Sequence, residues 1–292
     1  MQSQDVVDLV SELATEGNGE PVTEATRLLD IGFDSIACAE LAVAAEERYG
    51  LDIADDAVGA VATVGELAAI LERAEPLRLG TGGIPDGLGR FQQFSKTAMG
   101  GLMRWWFDLE VEGAERMPAS GPVVMGMNHE SVLDIPAAVV ASPRPVTFMA
   151  KQELFRRPAA ARFFHELGGF SVDRGVFDLR AVEIASAVLA RGEVLGMYPE
   201  GTRKPGVLQP FLLGAAWLAA RTGAPLLPVA IRGTEAAMPP DRRLPARVPV
   251  RVTFAPPIPV EPVDDAPTRR KEAVRLTAEL RGEIEGMLTI GR

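Results

Sequence analysis

The chain has 292 residues, about half of them hydrophobic and a quarter charged, which is ordinary for a globular protein and long enough for two cores. Its one cysteine, Cys38, excludes an internal disulfide and a Cys-based zinc site, no metal is expected, and no run reaches the roughly 18 apolar residues of a membrane span. The net charge of −10 is uneven: residues 1–75 hold 17 acidic and 3 basic side chains (−14), the remainder 23 and 27 (+4). A strongly acidic head on a mildly basic body indicates two domains with different partners, and no nucleic-acid partner is expected. The start, "MQSQDVVDLV", has no basic region followed by an apolar core, so no signal peptide is expected and a reducing cytoplasm is.

In chain order, residues 5–16 predict an amphipathic helix, followed by a loop with Gly17, Asn18, Gly19 and Pro21. A second helix is expected from about Ser35 to Tyr49, stopping at Gly50, with Glu40, Glu46 and Glu47 on its exposed side. "TVGELAAILERA" starts a last helix at Thr63, with Glu66 three residues on in a capping-box arrangement. No β-like run stands out, so residues 1–75 read as a small all-α bundle. The Gly- and Pro-rich stretch "EPLRLGTGGIPDGLGR" supplies a linker over 76–90.

Beyond it the pattern changes. "RFQQFSKTAMGGLMRWWF" is amphipathic and reads either as a membrane-surface helix or as a helix packing its aromatics on a sheet. Short apolar runs follow: "LEVEG", "PVVMGMNH", "VTFMAK", "GFSVDR", "VLGMYPE", "LLPVAIRG" and "VRVTFAPPI". Helical segments such as "DLRAVEIASAVLARG" and "LLGAAWLAARTG" lie between them, and a closing helix is expected from Pro267 to Leu288. Strands alternating with helices make 91–292 an α/β domain on a mixed, largely parallel sheet flanked by helices.

Two stretches carry chemistry. In "LLDIGFDSIACAEL" a glycine turn, an aromatic residue and the pair Asp34-Ser35 open the second helix. A serine there is a natural N-cap. The motif also resembles the acyl carrier protein family, over about residues 5–75, with Ile36 where a leucine is more usual. That resemblance implies a four-helix bundle with 4'-phosphopantetheine on Ser35, a phosphopantetheinyl transferase to attach it, an acyl-loading enzyme, and an acidic helix that meets basic patches on partners. Cys38, one turn on, reads as a small core residue.

In "MGMNHESVLDIP", His129 ends an expected strand and Asp134 lies in the first turn of the next helix. A neutral imidazole can take a proton from a hydroxyl at cellular pH, and a carboxylate behind it fixes its tautomer. "SVLD" is also a capping-box pattern, which would make Asp134 structural. His165 has no such company and reads as structural. Further on, "GGFSVDRG" places Arg174 at a strand end, "YPEGTRK" places Glu200, Gly201, Thr202 and Arg203 in a glycine turn, and "LLPVAIRG" places Pro228 in a buried run.

These blocks, with "VEGAERMPASGP" upstream, resemble in order the lysophosphatidic acid (1-acylglycerol-3-phosphate) acyltransferase family over about residues 90–260. The resemblance implies that His129 deprotonates an acceptor hydroxyl, which attacks an acyl-coenzyme A or acyl-carrier thioester directly. Asp134 would orient His129, and Arg174 and Arg203 would hold the acceptor phosphate, for which the guanidinium fork is suited. Glu200, Gly201 and Thr202 would shape the turn and position the acceptor. Lys151 and Glu153 in "MAKQEL" match a further family element near the site, and Lys151 and Pro228 are expected with the others to bind substrate. No Gly-x-Ser-x-Gly elbow offers a covalent acyl-enzyme route.

One departure stands out. Where the family shows Phe-Lys-x-Gly after the turn, this chain reads "PFLLGAAW", with Leu212 in place of the lysine; Lys204 is a neighbouring cation. The implied reaction is acyl transfer to the sn-2 hydroxyl of a lysophospholipid by a cytoplasmic protein peripheral on the inner membrane surface. Leu212 keeps open an acceptor without phosphate in specialised lipid or natural-product biosynthesis. A third reading is a carrier-based scaffold with a lipid-binding body. A 15-residue flexible linker spans about 20 Å, so a carrier tethered in this way would hold its own acyl donor at roughly millimolar effective concentration.

Overall fold

The computed structural model describes residues 3–14, 21–33, 37, 38, 40, 41, 44, 51, 52, 61–72, 75, 76, 88–151, 168–172, 179–239, 242 and 244–289. The chain divides into two compact units, one built on Met1–Gly83 and the other on Ile84–Ser171, Ala185–Asp264 and Thr268–Arg292.

In the first unit, helix α1 (Ser3–Leu13) buries Val6, Leu9, Val10 and Leu13, the spacing that puts one apolar stripe on a helix. A 3-10 turn at Leu28–Ile31 ends on Gly32, whose φ of 67° suits glycine. Helix α2 (Val64–Leu71) begins at the expected capping box: Thr63 Oγ1 accepts from the Glu66 N–H while the Glu66 carboxylate accepts from the Thr63 N–H. Its Val64, Leu67, Ala68 and Leu71 join α1, Phe33, Ala37 and Leu41 in one core. Glu40, expected on an exposed face, is instead buried at 4%. It lies three residues after Ala37 and next to Leu41, on the side those residues turn inward. A two-residue antiparallel pair, β1 (Leu51–Asp52) with β2 (Glu75–Pro76), was not expected, being too short to show any alternation. Ser35, Glu46 and Glu47 lie outside the described residues.

The second part of the chain runs α3 (Leu88–Phe107), β3 (Glu110–Glu112), β4 (Val123–Met127), α4 (Asp134–Ala141), β5 (Val146–Lys151), β6 (Gly169–Val172), α5 (Leu179–Ala190), β7 (Val194–Met197), α6 (Gly214–Thr222), β8 (Leu226–Arg232), α7 (Thr234–Ala237), β9 (Arg251–Phe254) and α8 (Ala266–Thr289). All seven expected apolar runs are strands of one sheet, ordered β3-β9-β8-β4-β7-β5-β6. The pairs β3/β9, β8/β4, β4/β7 and β7/β5 are parallel, and β8/β9 is antiparallel. The central strands β4 and β8 are buried along almost their whole length, which is why they read as unbroken apolar runs.

Helices cover both faces. On one, Met103 and Phe107 of α3 and Ala137–Ala141 of α4 pack on Met125, Met127, Val229, Ile231, Val252 and Phe254. On the other, Gly126 of β4 accommodates α8: a Cβ there would fall 2.7 Å from the Leu280 side chain. The "RWWF" segment divides its aromatics between two faces. Trp106 is half-buried against the core, while Trp105 is 65% exposed and Leu102 shares its outward face. Among the described residues no helix is long and apolar enough to cross a membrane.

Candidate active site

β4 and β7 are parallel neighbours at the centre of the sheet, and the chain leaves them in opposite directions. From β4 it passes through α4 towards β5; from β7 it passes through α6 towards β8. In open α/β sheets ligands bind in the crevice outside the carboxyl ends of two such strands. His129 lies two residues past the end of β4, and Tyr198, Pro199 and Glu200 follow β7 directly.

Asn128 sets the root of His129. The last register pair between β4 and β8 is Met127 with Val229. Beyond it the Asn128 side chain takes over: Nδ2 donates to the Ile231 carbonyl at 2.8 Å, and Oδ1 accepts the Ile231 N–H at 2.7 Å. The fully buried amide thereby satisfies two backbone groups that a strand neighbour would otherwise pair.

His129 is 6% exposed, and its Nδ1 lies 2.9 Å from Oδ2 of the fully buried Asp134. A carboxylate only accepts, so Nδ1 carries the proton and Nε2 is the basic nitrogen. The same Oδ2 accepts the backbone N–H groups of Glu130 and Ser131, each at 2.8 Å. Asp134 therefore answers to both sequence readings: it ties down the turn before α4 and it holds the imidazole.

Glu200, also buried, bridges the two loops. Its Oε1 accepts the His129 N–H at 2.6 Å and its Oε2 the Gln209 N–H at 2.8 Å. Burial pushes the Glu200 carboxyl above its ordinary range; the two amides and the Arg281 charge pull it down, while the Asp134 charge adds to the rise. A further bond, from the Lys204 N–H to the His129 carbonyl at 3.3 Å, laces the turn to the histidine at its other end. Gly201 makes the turn at φ 67°, and a Cβ there would also meet Leu212 at 2.9 Å. Thr202 and Arg203 project into solvent from this turn. Leu212 is 63% exposed, and its N–H donates to the Pro199 carbonyl at 2.8 Å.

One face of the imidazole is covered by Tyr198, with ring centroids 4.1 Å apart and planes 23° from parallel. Burial, and secondarily the Asp134 charge, hold the Tyr198 phenol neutral far above its ordinary pKa.

The structure thus brings together His129, Asp134, Glu200, Gly201, Thr202 and Arg203. Lys151 is the last residue of β5. Pro228 sits inside β8 in register with Gly126, in the layer that α8 covers rather than beside the imidazole. Arg174, Glu153 and His165 lie outside the described residues. Asn128, Tyr198 and Gln209 were not singled out from sequence.

Residues 108–232 match the family model described as Acyltransferase, and residues 4–71 match the model described as Phosphopantetheine attachment site. The chain joins a phosphopantetheine-attachment domain to an acyltransferase-family domain. The 1-acyl-sn-glycerol-3-phosphate acyltransferase of Bacillus subtilis is 31% identical over 126 residues, 43% of this chain and 63% of that one. The human 1-acyl-sn-glycerol-3-phosphate acyltransferase alpha is 30% identical over 165 residues, 54% of this chain and 58% of that one. The chain thus spans less than two thirds of the length of these curated relatives. The crystal structure of the 1-acyl-sn-glycerophosphate (LPA) acyltransferase from Thermotoga maritima is similar to it with a TM-score of 0.51 and 28% identity, over 66% of this chain and 79% of that one.

In the attachment domain, Phe33 and Ala37 are both buried on either side of Asp34–Ile36, and Gly32 closes the turn before them. The stretch 34–36 is thus flanked in sequence by two core anchors. Phosphopantetheine, when attached to such a domain, supplies a thiol for a thioester.

Proposed function

We propose that the chain is an O-acyltransferase that moves a fatty acyl group from an acyl-carrier or acyl-coenzyme A thioester to a lysophospholipid hydroxyl, converting 1-acylglycerol-3-phosphate to phosphatidic acid. The observation that carries this reading is the buried His129–Asp134 pair at 2.9 Å, with the backbone of the same histidine tied to Glu200. Nε2 of His129 takes the proton of the acceptor hydroxyl as its oxygen attacks the thioester carbonyl. Asp134 steadies the imidazolium so formed. The tetrahedral intermediate collapses, the C–S bond breaks, and the thiolate recovers the proton from His129.

Arg203, exposed on the turn beside His129, is the cation for the acceptor phosphate, with Arg174, two residues beyond β6 in sequence, as its partner. Glu200 acts through the backbone, with both oxygens taken by amides, and Gly201 and Thr202 shape the same turn. Lys151 and Pro228 serve through the sheet that holds the site. Ser35 is the attachment point of the arm, loaded by an acyl-loading enzyme after a phosphopantetheinyl transferase has acted. The protein works in the cytoplasm, peripheral on the inner membrane surface, with exposed Leu102 and Trp105 of α3 meeting the lipid.

A second reading rests on Leu212. An exposed leucine stands against the Gly201 turn, so the acceptor end of the site holds less positive charge than a phosphomonoester dianion favours. An acceptor hydroxyl without phosphate fits that surface. Both readings share the base and separate by acceptor. With acyl-coenzyme A and 1-acylglycerol-3-phosphate, the wild type turns over and His129→Ala falls by on the order of 10²–10⁴-fold. Turnover only with a phosphate-free acceptor selects the second reading. Unchanged turnover in His129→Ala removes the base from both.

A further inference from the structure

We infer that Tyr198 is a positioning residue for the His129 imidazole, and that Phe148 and Gly196 carry its support back into the sheet. The inference deepens the acyltransferase reading and rests on His129 being the base.

The register places these residues. β4 and β7 pair Met125 with Gly196 and Gly126 with Met197. Side chains two apart on a strand share a face, so Met125 and Met127 line up on the same side as Gly196, and His129 and Tyr198 meet just beyond the ends of the two strands. On the far side of β7, Phe148 of β5 is the register partner of Gly196. A Cβ at 196 would fall 2.5 Å from Cε1 and 2.7 Å from Cδ1 of the Phe148 ring. Only glycine leaves the room in which that ring lies across β7.

From there the rings run in sequence. Phe148 and Tyr198 have centroids 6.4 Å apart and planes 18° from parallel. Tyr198 and His129 follow at 4.1 Å and 23°. Three near-parallel rings thus lead from the buried sheet to the base. Asp134 anchors Nδ1 at the ring's edge. A ring against one face adds a restraint against tilting and so fixes the direction of the in-plane lone pair on Nε2.

The hydroxyl is not what the arrangement uses. The Tyr198 oxygen is buried and has no hydrogen-bond partner among the described residues. His129 is met by the face of the ring, which phenylalanine would present equally well.

The test uses the full chain, which has two histidines and so gives simple spectra when histidine is isotope-labelled. His129 signals are identified by their loss in His129→Gln. Its ring protons are expected upfield of free histidine because of the Tyr198 ring current. Tyr198→Phe should keep that shift and a kcat within about two-fold of wild type. Tyr198→Leu should lose the shift and lower kcat by ~10–100-fold with KM nearly unchanged, the scale of a misplaced reacting group. Gly196→Ala touches no reacting group, yet it should displace Phe148, move the His129 signals and lower kcat several-fold. It also carries the test should Tyr198→Leu not fold.

His129 signals that stay put in Tyr198→Leu or Gly196→Ala would overturn the inference. So would a Tyr198→Phe variant as slow as Tyr198→Leu, because the role would then belong to the hydroxyl. If the shifts behave as expected while the wild type transfers no acyl group to any acceptor tried, the positioning stands and the reaction assignment falls.

Discussion

Glu200 places both carboxylate oxygens on backbone amides, one from each of the two loops that form the site. Glutamine at this position offers one accepting oxygen and turns an NH2 group toward the other amide. Glu200→Gln should therefore lose one bond and strand a buried donor, at a cost of about 1–3 kcal/mol, and acyl transfer should fall with it. Burial holds the Glu200 carboxyl above its ordinary value near 4.5. Between those two values the folded chain binds more protons than the unfolded chain. Its contribution is complete below about 4.5 and is lost as pH rises through the raised value. Denaturant unfolding at stepped pH should show stability falling across that window in the wild type and a flatter profile in Glu200→Gln. Equal slopes in the two proteins would mean that this carboxyl does not titrate differently on folding.

At the scale of elements, α3 presents two faces with different tasks. Met103 and Phe107 anchor it to the sheet, while Leu102 and Trp105, one turn apart, point outward beside the exposed Arg104. Flotation with anionic vesicles should carry the wild type upward, and the pair Leu102→Ala, Trp105→Ala should reduce the bound fraction several-fold without lowering thermal stability. Equal flotation would remove α3 from lipid contact. The elements were largely legible in sequence because buried strands and capped helices leave local marks: seven apolar runs became seven strands, and Thr63 with Glu66 closed its capping box. The His129–Asp134 pair was legible for the same reason, as its members are five residues apart. Tyr198 was not, because its contact with His129 depends on which residues β4 and β7 place side by side. Nor was the pairing of Asn128 with Ile231, which spans 103 residues and uses a side chain in place of a strand neighbour. Glu40 was misplaced because the face a helix buries depends on what packs against it.

At the scale of the molecule, an attachment domain and an acyltransferase domain on one chain make a kinetic prediction. If the arm on Ser35 feeds the site of its own chain, transfer from the acyl-loaded protein to a saturating acceptor is first order, with a rate constant independent of protein concentration. Intact-protein mass spectrometry across a hundred-fold dilution reads this directly. A rate constant that rises in proportion to concentration would mean that each carrier serves a different chain.

The notch at Gly126, filled by Leu280, has a consequence for how the protein is made. β4 and the loop bearing His129 and Asp134 leave the ribosome early, yet the side chain that packs beneath that strand belongs to α8 and is translated after every strand of the sheet. At about 5–20 residues per second, the strand waits many seconds for its cover. During synthesis His129 and Asp134 are present in the polymer before the helix that backs their strand, and the packing beneath them is complete only when that last helix docks.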